Sequence, residues 1–97
     1  MRIEWHPAAL AEFEAAFVDA QSFGQSTVDA FVGMVDQVVQ RLADNPDLAR
    51  VGRSEGTREI VLRRFPYILV YRRQEDHLLI VALRHTARRW PASFPNT

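Results

Sequence analysis

The apolar positions of this chain change period as it runs. At the start Ile3 and Trp5 alternate with Arg2 and Glu4, the period of two that predicts a short strand. Pro7 suits a first helical position, where its missing N–H has no intrahelical partner to lose, and His6 precedes it. Over residues 7–22, Leu10, Phe13, Phe17 and Ala20 fall on one helical face, with Glu12, Glu14 and Asp19 off it. Gly24 is the expected stop, because glycine takes a left-handed cap without steric cost. A second helix is expected from Ser26 or Thr27, either of which can cap it. Its apolar positions are Val28, Phe31, Val32, Val35, Val38, Val39 and Leu42, a sustained i, i+3, i+4, i+7 stripe and the clearest periodic signal in the chain. The β-branched valines lower helix propensity slightly, so packing must hold this helix. Pro46 ends it after Asp44 and Asn45. With residues 23–25 as the link, the two helices form an antiparallel hairpin.

Residues 47–57 are polar, contain three glycines or serines in Gly52, Ser54 and Gly56, and read as loop. Residues 58–65 then alternate Ile60 and Leu62 against Glu59, Val61 and Arg63. Pro66 marks a turn or bulge. Residues 67–73, YILVYRR, are apolar on both faces until their end, which is the pattern of a central strand. After a polar turn, residues 78–84, LLIVALR, form another apolar run. Residues 85–90 read as a helical turn, and the tail PASFPNT, with two prolines, as irregular. The predicted order is β-α-α-β-β-β. It implies an α+β fold in which a helix hairpin packs on one face of a small, largely antiparallel four-stranded sheet, with residues 1–97 as a single domain. The other sheet face is left open, or covered by something outside this chain.

Composition narrows the class. The chain has 97 residues, of which 47% are hydrophobic, so a packed core is within reach and disorder is not expected. Cysteine is absent, which excludes a disulfide framework and fits a reducing compartment. No signal peptide or membrane span is evident, so a cytoplasmic protein is expected. The net charge of zero hides a split. Residues 1–49 carry two arginines against eight acids, and residues 50–97 carry ten arginines against four. That asymmetry predicts a basic working face and an acidic back. All the basic side chains are arginine, which composition bias explains, although arginine also suits bidentate contacts to carboxylate or phosphate.

Standard catalytic signatures are missing: no glycine-rich phosphate loop, no nucleophile elbow, no histidine pair at metal-binding spacing. His6, His77 and His85 fall on separate elements and read as surface or structural histidines, so no metal and no cofactor is expected. Arg58 and Glu59 are neighbours on a strand, so their side chains point to opposite faces and cannot act on one group. Glu59 is placed for a cross-strand pair with an arginine, for example Arg72. Tyr67 and Tyr71 share one face, and if that face is the core they are packing residues.

Several stretches together carry a resemblance: IEWHPAALAEF, the helix hairpin, NPDLARVGRSEGTRE, FPYILVYR and ALRHTARRWP. In this order and at this length the chain resembles the RelE/ParE superfamily, the toxins of type II toxin–antitoxin modules, across nearly its whole length. The resemblance implies the same β-α-α-β-β-β fold. It implies a cognate antitoxin with a DNA-binding N-terminus, a toxin–antitoxin hetero-oligomer, and a role in growth inhibition and plasmid stabilisation. RelE-like members are ribosome-dependent mRNA endonucleases and usually carry a basic residue at the start of the central strand. Here that place reads Phe65-Pro66-Tyr67, the form of the ParE-like branch, whose members are associated with poisoning DNA gyrase. The expectation is therefore a binding toxin and not a catalyst. Its contacts to target or antitoxin are expected among Arg58, Arg63, Arg64, Arg72, Arg73, Arg84, Arg88, Arg89 and Trp90. The alternative is an endoribonuclease of ribosome-bound mRNA. There His85 would be the acid or base, its pKa range being suited to that work, with Arg58, Arg84 and Arg88 on phosphate. A third reading is a non-toxic member that binds only its antitoxin.

Overall fold

Strand β1 (Arg2–Trp5) leads directly into helix α1 (Pro7–Gln21), where the apolar period changes. These elements come from a computed structural model that describes residues 1–97. His6 is the N-cap of α1, and its Nδ1 accepts a 3.0 Å hydrogen bond from the Ala8 N–H. Helix α2 (Gln25–Asp44) begins earlier than Ser26 or Thr27 would set it. Its N-cap is Gly24, at φ 104°, with no side-chain cap. Only Ser22, Phe23 and Gly24 separate the helices, and a positive φ lets the chain reverse there without a Cβ clash. At the other end Asn45 is the C-cap, just before Pro46.

The remaining strands are β2 (Arg50–Val51), β3 (Arg58–Val61), β4 (Tyr67–Arg73) and β5 (His77–His85). They join β1 in a five-stranded sheet of order β1-β5-β4-β3-β2. β1 runs parallel to β5, and every other pairing is antiparallel. The sheet thus has one strand more than the four expected. The extra strand, β2, lies in the stretch read as loop. Two residues carry no detectable period, and β2 exists because β3 offers it an edge, pairing Arg50 with Glu59 and Val51 with Arg58. β4 is central, as its two-faced apolar pattern requires. Between Val70 and Tyr71 the register against β5 shifts from Ala82 to Ile80, leaving Val81 as the extra residue of a bulge. Val81 and Ala82 consequently both belong to the apolar cluster away from the helices.

The helix hairpin covers one face of the sheet. Phe31, Val35 and Leu42 of α2 pack with Leu69, Tyr71, Ile80 and Leu83. α1 packs most of the set its pattern predicts, without Leu10 and with two further alanines. Ala9, Ala16 and Ala20 are buried, Leu10 is 45% exposed, and Phe13 and Phe17 are only partly buried. Alanines let α1 lie close to β5, while Phe13 fills the seam between the helices, with its ring centroid 5.6 Å from that of Phe31. Tyr71 is fully buried on this face and donates through its hydroxyl to the Pro46 carbonyl at 2.6 Å, so it is a packing residue.

The opposite face is not open, contrary to expectation. Ile68, Val70, Leu79, Val81 and Ala82 are covered by Phe94 and Trp90 of the chain's own tail. The tail has no regular structure, yet it is tied down. Arg72 donates through Nε to the Pro95 carbonyl at 2.7 Å, through Nη2 to Phe94 at 3.1 Å, and through Nη1 to Glu55 at 2.9 Å. Gly56, at φ 76°, makes room for this arginine, since a Cβ there would come within 2.7 Å of Nη1. Burial of Phe94 is worth about 1.5–3 kcal/mol. No helix is long and apolar enough to cross a membrane.

Candidate binding groove and its arginine rim

The arginines divide into two populations. In the first, each guanidinium has found a partner within the chain. Arg50 and Arg53 converge on Glu59, each at 3.2 Å, and the Glu59 side chain is only 2% exposed. The Arg53 backbone N–H also donates to Glu59 at 2.8 Å. Burial alone pushes the Glu59 carboxyl up. The backbone and side-chain bonds from Arg53, the bond from Arg50 and the Arg53 charge together outweigh burial and hold it below its usual 4.5. Arg53 lies 3.6 Å over the ring of Trp90, which meets Phe94 edge-on at 5.9 Å. Arg58 donates to the Ala49 carbonyl at 2.7 Å and lies 3.8 Å from Asp47, which also pairs with Arg73 at 3.3 Å. Arg84 binds Glu12 at 2.6 Å and the Arg89 carbonyl. The pairing of Glu59 with Arg72 does not form, because Arg72 is engaged with the tail and β2 brings Arg50 opposite Glu59 instead.

The second population has no side-chain partner. Arg41 on α2 is exposed and unpaired, and so are four arginines grouped together, Arg63, Arg64, Arg88 and Arg89, which make neither a side-chain hydrogen bond nor an ion pair. Two lie in the turn between β3 and β4, closed by the Leu62 N–H to Tyr67 carbonyl bond at 3.0 Å. The other two follow β5, and the Thr86 N–H bonds the Pro66 carbonyl at 2.8 Å, which joins the two segments. All four therefore sit at one end of the sheet. Arg64 has φ 74° and is the one non-glycine residue with positive φ. For a long side chain that conformation costs about 1–2 kcal/mol.

Beside this rim lies a groove of ≈ 550 Å³ between the helix hairpin and the turn. Its floor is aromatic. Phe31 meets Phe65 edge-on at 5.4 Å and Tyr67 at 5.8 Å, and Tyr67 meets His85 edge-on at 5.2 Å. Phe23, in the helix link, borders it and is 77% exposed. Arg64 and Arg88 line it, and Asp19 is its one acid. Burial, then the charge of Asp19, raises the Tyr67 hydroxyl above 10.0 against the pull of Arg88, so it remains a neutral donor and acceptor. A recess of ≈ 200 Å³ beside it adds Glu12 and Arg84.

The groove gathers some of the predicted site residues and separates others. His85, Arg84 and Arg88 come together around it. Arg58 does not, since it pairs with Tyr71 on β4 whereas His85 pairs with Tyr67 at the other end of that strand. His85 Nδ1 already accepts a 3.0 Å bond from the Ala87 N–H. Arg63 and Arg89 stand outside the groove at the same end. Arg72, Arg73 and Trp90 lie at the opposite end or on the tail side, engaged within the chain. Of the other histidines, His6 caps α1, and His77 sits between Glu4 at 2.9 Å and Asp76 at 2.7 Å. Phe23, Phe65 and Asp19 were not among the expected site residues. The signal for Phe23 is a large aromatic in a three-residue helix link, where no core position exists for it.

A family model described as "ParE toxin of type II toxin-antitoxin system, parDE" matches residues 3–90. The chain belongs to the ParE toxin family. One relative, "Putative toxin Y4kP" of Sinorhizobium fredii (strain NBRC 101917 / NGR234), is 31% identical over 90 residues, covering 93% of each chain. Among solved structures, a chain from the chromosomal ParDE TA system of P. aeruginosa matches with a TM-score of 0.76 at 20% identity, covering 88% of this chain and 95% of that one. At that identity the likeness is one of fold, and two helices on a mixed sheet are the shared architecture. The family match of this ParE-family toxin ends at Trp90, so Phe94 and its hold on the sheet lie beyond the matched residues.

Proposed function

We propose that this ParE-family toxin arrests growth by binding an essential protein, DNA gyrase, and that a cognate antitoxin neutralises it in a toxin–antitoxin hetero-oligomer. The observation that carries this reading is the unpartnered arginine rim beside an apolar groove, a surface arranged to hold a partner. Acid–base chemistry fits the same surface less well. Arg84 is neutralised by Glu12, and Arg58 lies at the far end of β4 from His85. An endoribonuclease needs a base, an acid and free cations around one phosphate. The endoribonuclease is the second reading, favoured by His85, Tyr67 and Arg88 lining one groove. The antitoxin is expected to be a small protein with a DNA-binding N-terminus, and the toxin to act in the cytoplasm.

Expressing the chain alone, with gyrase supercoiling and ribosome-bound mRNA assayed in parallel, separates these readings. Growth arrest with blocked supercoiling and intact mRNA supports the first. Cleaved mRNA overturns it in favour of the second. Full toxicity in His85→Ala removes any catalytic role for that side chain. Absence of any growth arrest leaves a member that binds only its antitoxin.

A further inference from the structure

We infer that the outer edge of β1 joins two copies of this chain, paired antiparallel about a two-fold axis at Ile3. The inference stands apart from the toxin reading and from the arginine groove. β1 ends the sheet, with β5 on one side and no strand on the other. The His6 N–H bonds the Ile80 carbonyl at 2.8 Å, so by strand alternation Arg2 and Glu4 also turn their backbone groups to β5. Ile3 and Trp5 then present theirs outward, a short template for a further strand.

Exposed edges are commonly guarded by charges that repel a second strand. On β1 the charges do the reverse. Ile3 and Trp5 pack toward the helices, so Arg2 and Glu4 flank Ile3 on the other sheet face, with side chains 60% and 48% exposed. A second β1 with Ile3 opposite Ile3 sets Arg2 of each copy against Glu4 of the other. Centring the pair on Arg2 or on Glu4 instead sets like charges opposite, which is destabilising. The register at Ile3 also turns the outward backbone groups of the two copies on each other. Ile3 exchanges both its bonds with Ile3, and the Trp5 N–H reaches the Met1 carbonyl. Glu4 has an acceptor to spare. Its partners within the chain, Arg2 at 3.1 Å and His77 at 2.9 Å, both meet Oε2, which leaves Oε1 for the arginine of the second copy.

The same register has an apolar side. It brings Met1 of one copy opposite Trp5 of the other, on the helix face. The Met1 amino group is held by the Ala43 carbonyl at 2.7 Å, and the residue is 39% exposed. Trp5 lines a groove of ≈ 280 Å³ between α1 and α2, together with Leu10, Phe13 and Val32. Leu10 is 45% exposed there, so a methionine from the second copy enters an apolar seat that the chain itself leaves uncovered.

Sedimentation velocity on the folded chain, from about 1 to about 200 µM, should show a monomer–dimer equilibrium. Arg2→Glu or Glu4→Arg sets two like-charged pairs across the axis, and each should weaken the dimer about thirtyfold. An equal mixture of these two proteins sets every acid opposite an arginine, so it should form a heterodimer within about threefold of the wild-type affinity. Thermal melting of each variant confirms folding. Amide exchange on the wild type needs no variant: protection of Ile3 and Trp5 should rise with concentration, whereas Glu4, already bonded to β5, should not change. A wild-type chain that stays monomeric overturns the proposal. So does a dimer that persists in both variants, a mixture of folded variants that stays monomeric, or concentration-dependent protection confined to other segments. A dimer lost in Arg88→Glu but kept in Arg2→Glu would instead mark a head-to-tail contact between the basic end and the acidic helices, and overturns it as well.

Discussion

Strand β3 connects two regions that use the same residue type in opposite ways. At its start, Arg58 lies beside Asp47, and Glu59 sits under Arg50 and Arg53. Just past its end, Arg63 and Arg64 face solvent and hold nothing within the chain. A few residues of strand separate a closed network from an open one. The difference lies in the acceptors each end can reach. The first end has the carboxylates of Glu59 and Asp47 and the carbonyls of Ala49, Glu55, Phe94 and Pro95. At the second end the groove contributes Asp19, and Glu12 in the adjoining recess is already taken by Arg84. A surplus of arginine in a sequence therefore does not measure a binding surface. The arginines available to a partner are those left after the internal acceptors are satisfied.

The comparison is broken most severely at Glu59. Glu59→Ala leaves the Arg53 backbone N–H without its acceptor and frees Arg53 from its place over Trp90. Because both arginines are more than half exposed, their charges return to water, and the loss should be about 2–3 kcal/mol in chemical denaturation. A loss under about 0.5 kcal/mol, within the range of ordinary surface substitutions, would show the network to be ornamental. The same carboxylate carries a pH signature. Its folded pKa lies below the ordinary 4.5, so its contribution is full above pH 4.5 and disappears as pH falls through the lower folded value. The stability gap between wild type and Glu59→Gln should therefore narrow on acidification below 4.5 and stay constant at neutral pH.

Next in size is Arg72→Ala, which removes the donor to the Pro95, Phe94 and Glu55 carbonyls. A cost of about 1–2 kcal/mol is expected, with faster tryptic cleavage at Arg88 and Arg89 as the tail loosens. Unchanged cleavage would mean that Phe94 alone holds the tail. At the open end the sign reverses. Arg64→Gly should stabilise the chain by about 1 kcal/mol, because glycine takes φ 74° without strain. Arg88→Ala should be the smallest, within about 0.5 kcal/mol of wild type by thermal melting, since its guanidinium has no internal partner. A large loss at Arg88 would move it into the engaged population and erase the distinction between the ends.

The pattern of apolar positions carried most of the fold. The helix hairpin, the three C-terminal strands and the order β-α-α-β-β-β follow from it, because each element is long enough to show its period and has one dominant environment. β2 was not legible, since its two residues pair only through the edge that β3 presents. The inward face of α1 was legible in part, since Phe13, Phe17 and Ala20 lie on it, whereas Ala9 and Ala16 take the place expected of Leu10. Its apolar arc is broad, and alanine is as compatible with exposure as with a tight helix–sheet contact. The helical turn expected over residues 85–90 reduces to a short turn, and the irregular tail proved to be the cover of the second sheet face.

For the site, the sequence alone determined the resource: twelve arginines, concentrated in the second half, on a chain of net charge zero with the pattern of a ParE-like toxin. Periodicity and charge are properties of neighbours along the chain, so they survive reading in one dimension. Which arginines are free was decided only by the tertiary structure. Arg72 meets the carbonyls of Phe94 and Pro95, and Arg84 meets Glu12, across separations that no local pattern encodes. Whether a guanidinium is structural or available depends on which acceptors the fold brings within about 3 Å. That is a property of the packed chain, and it places four of the five open arginines at the Arg64 end.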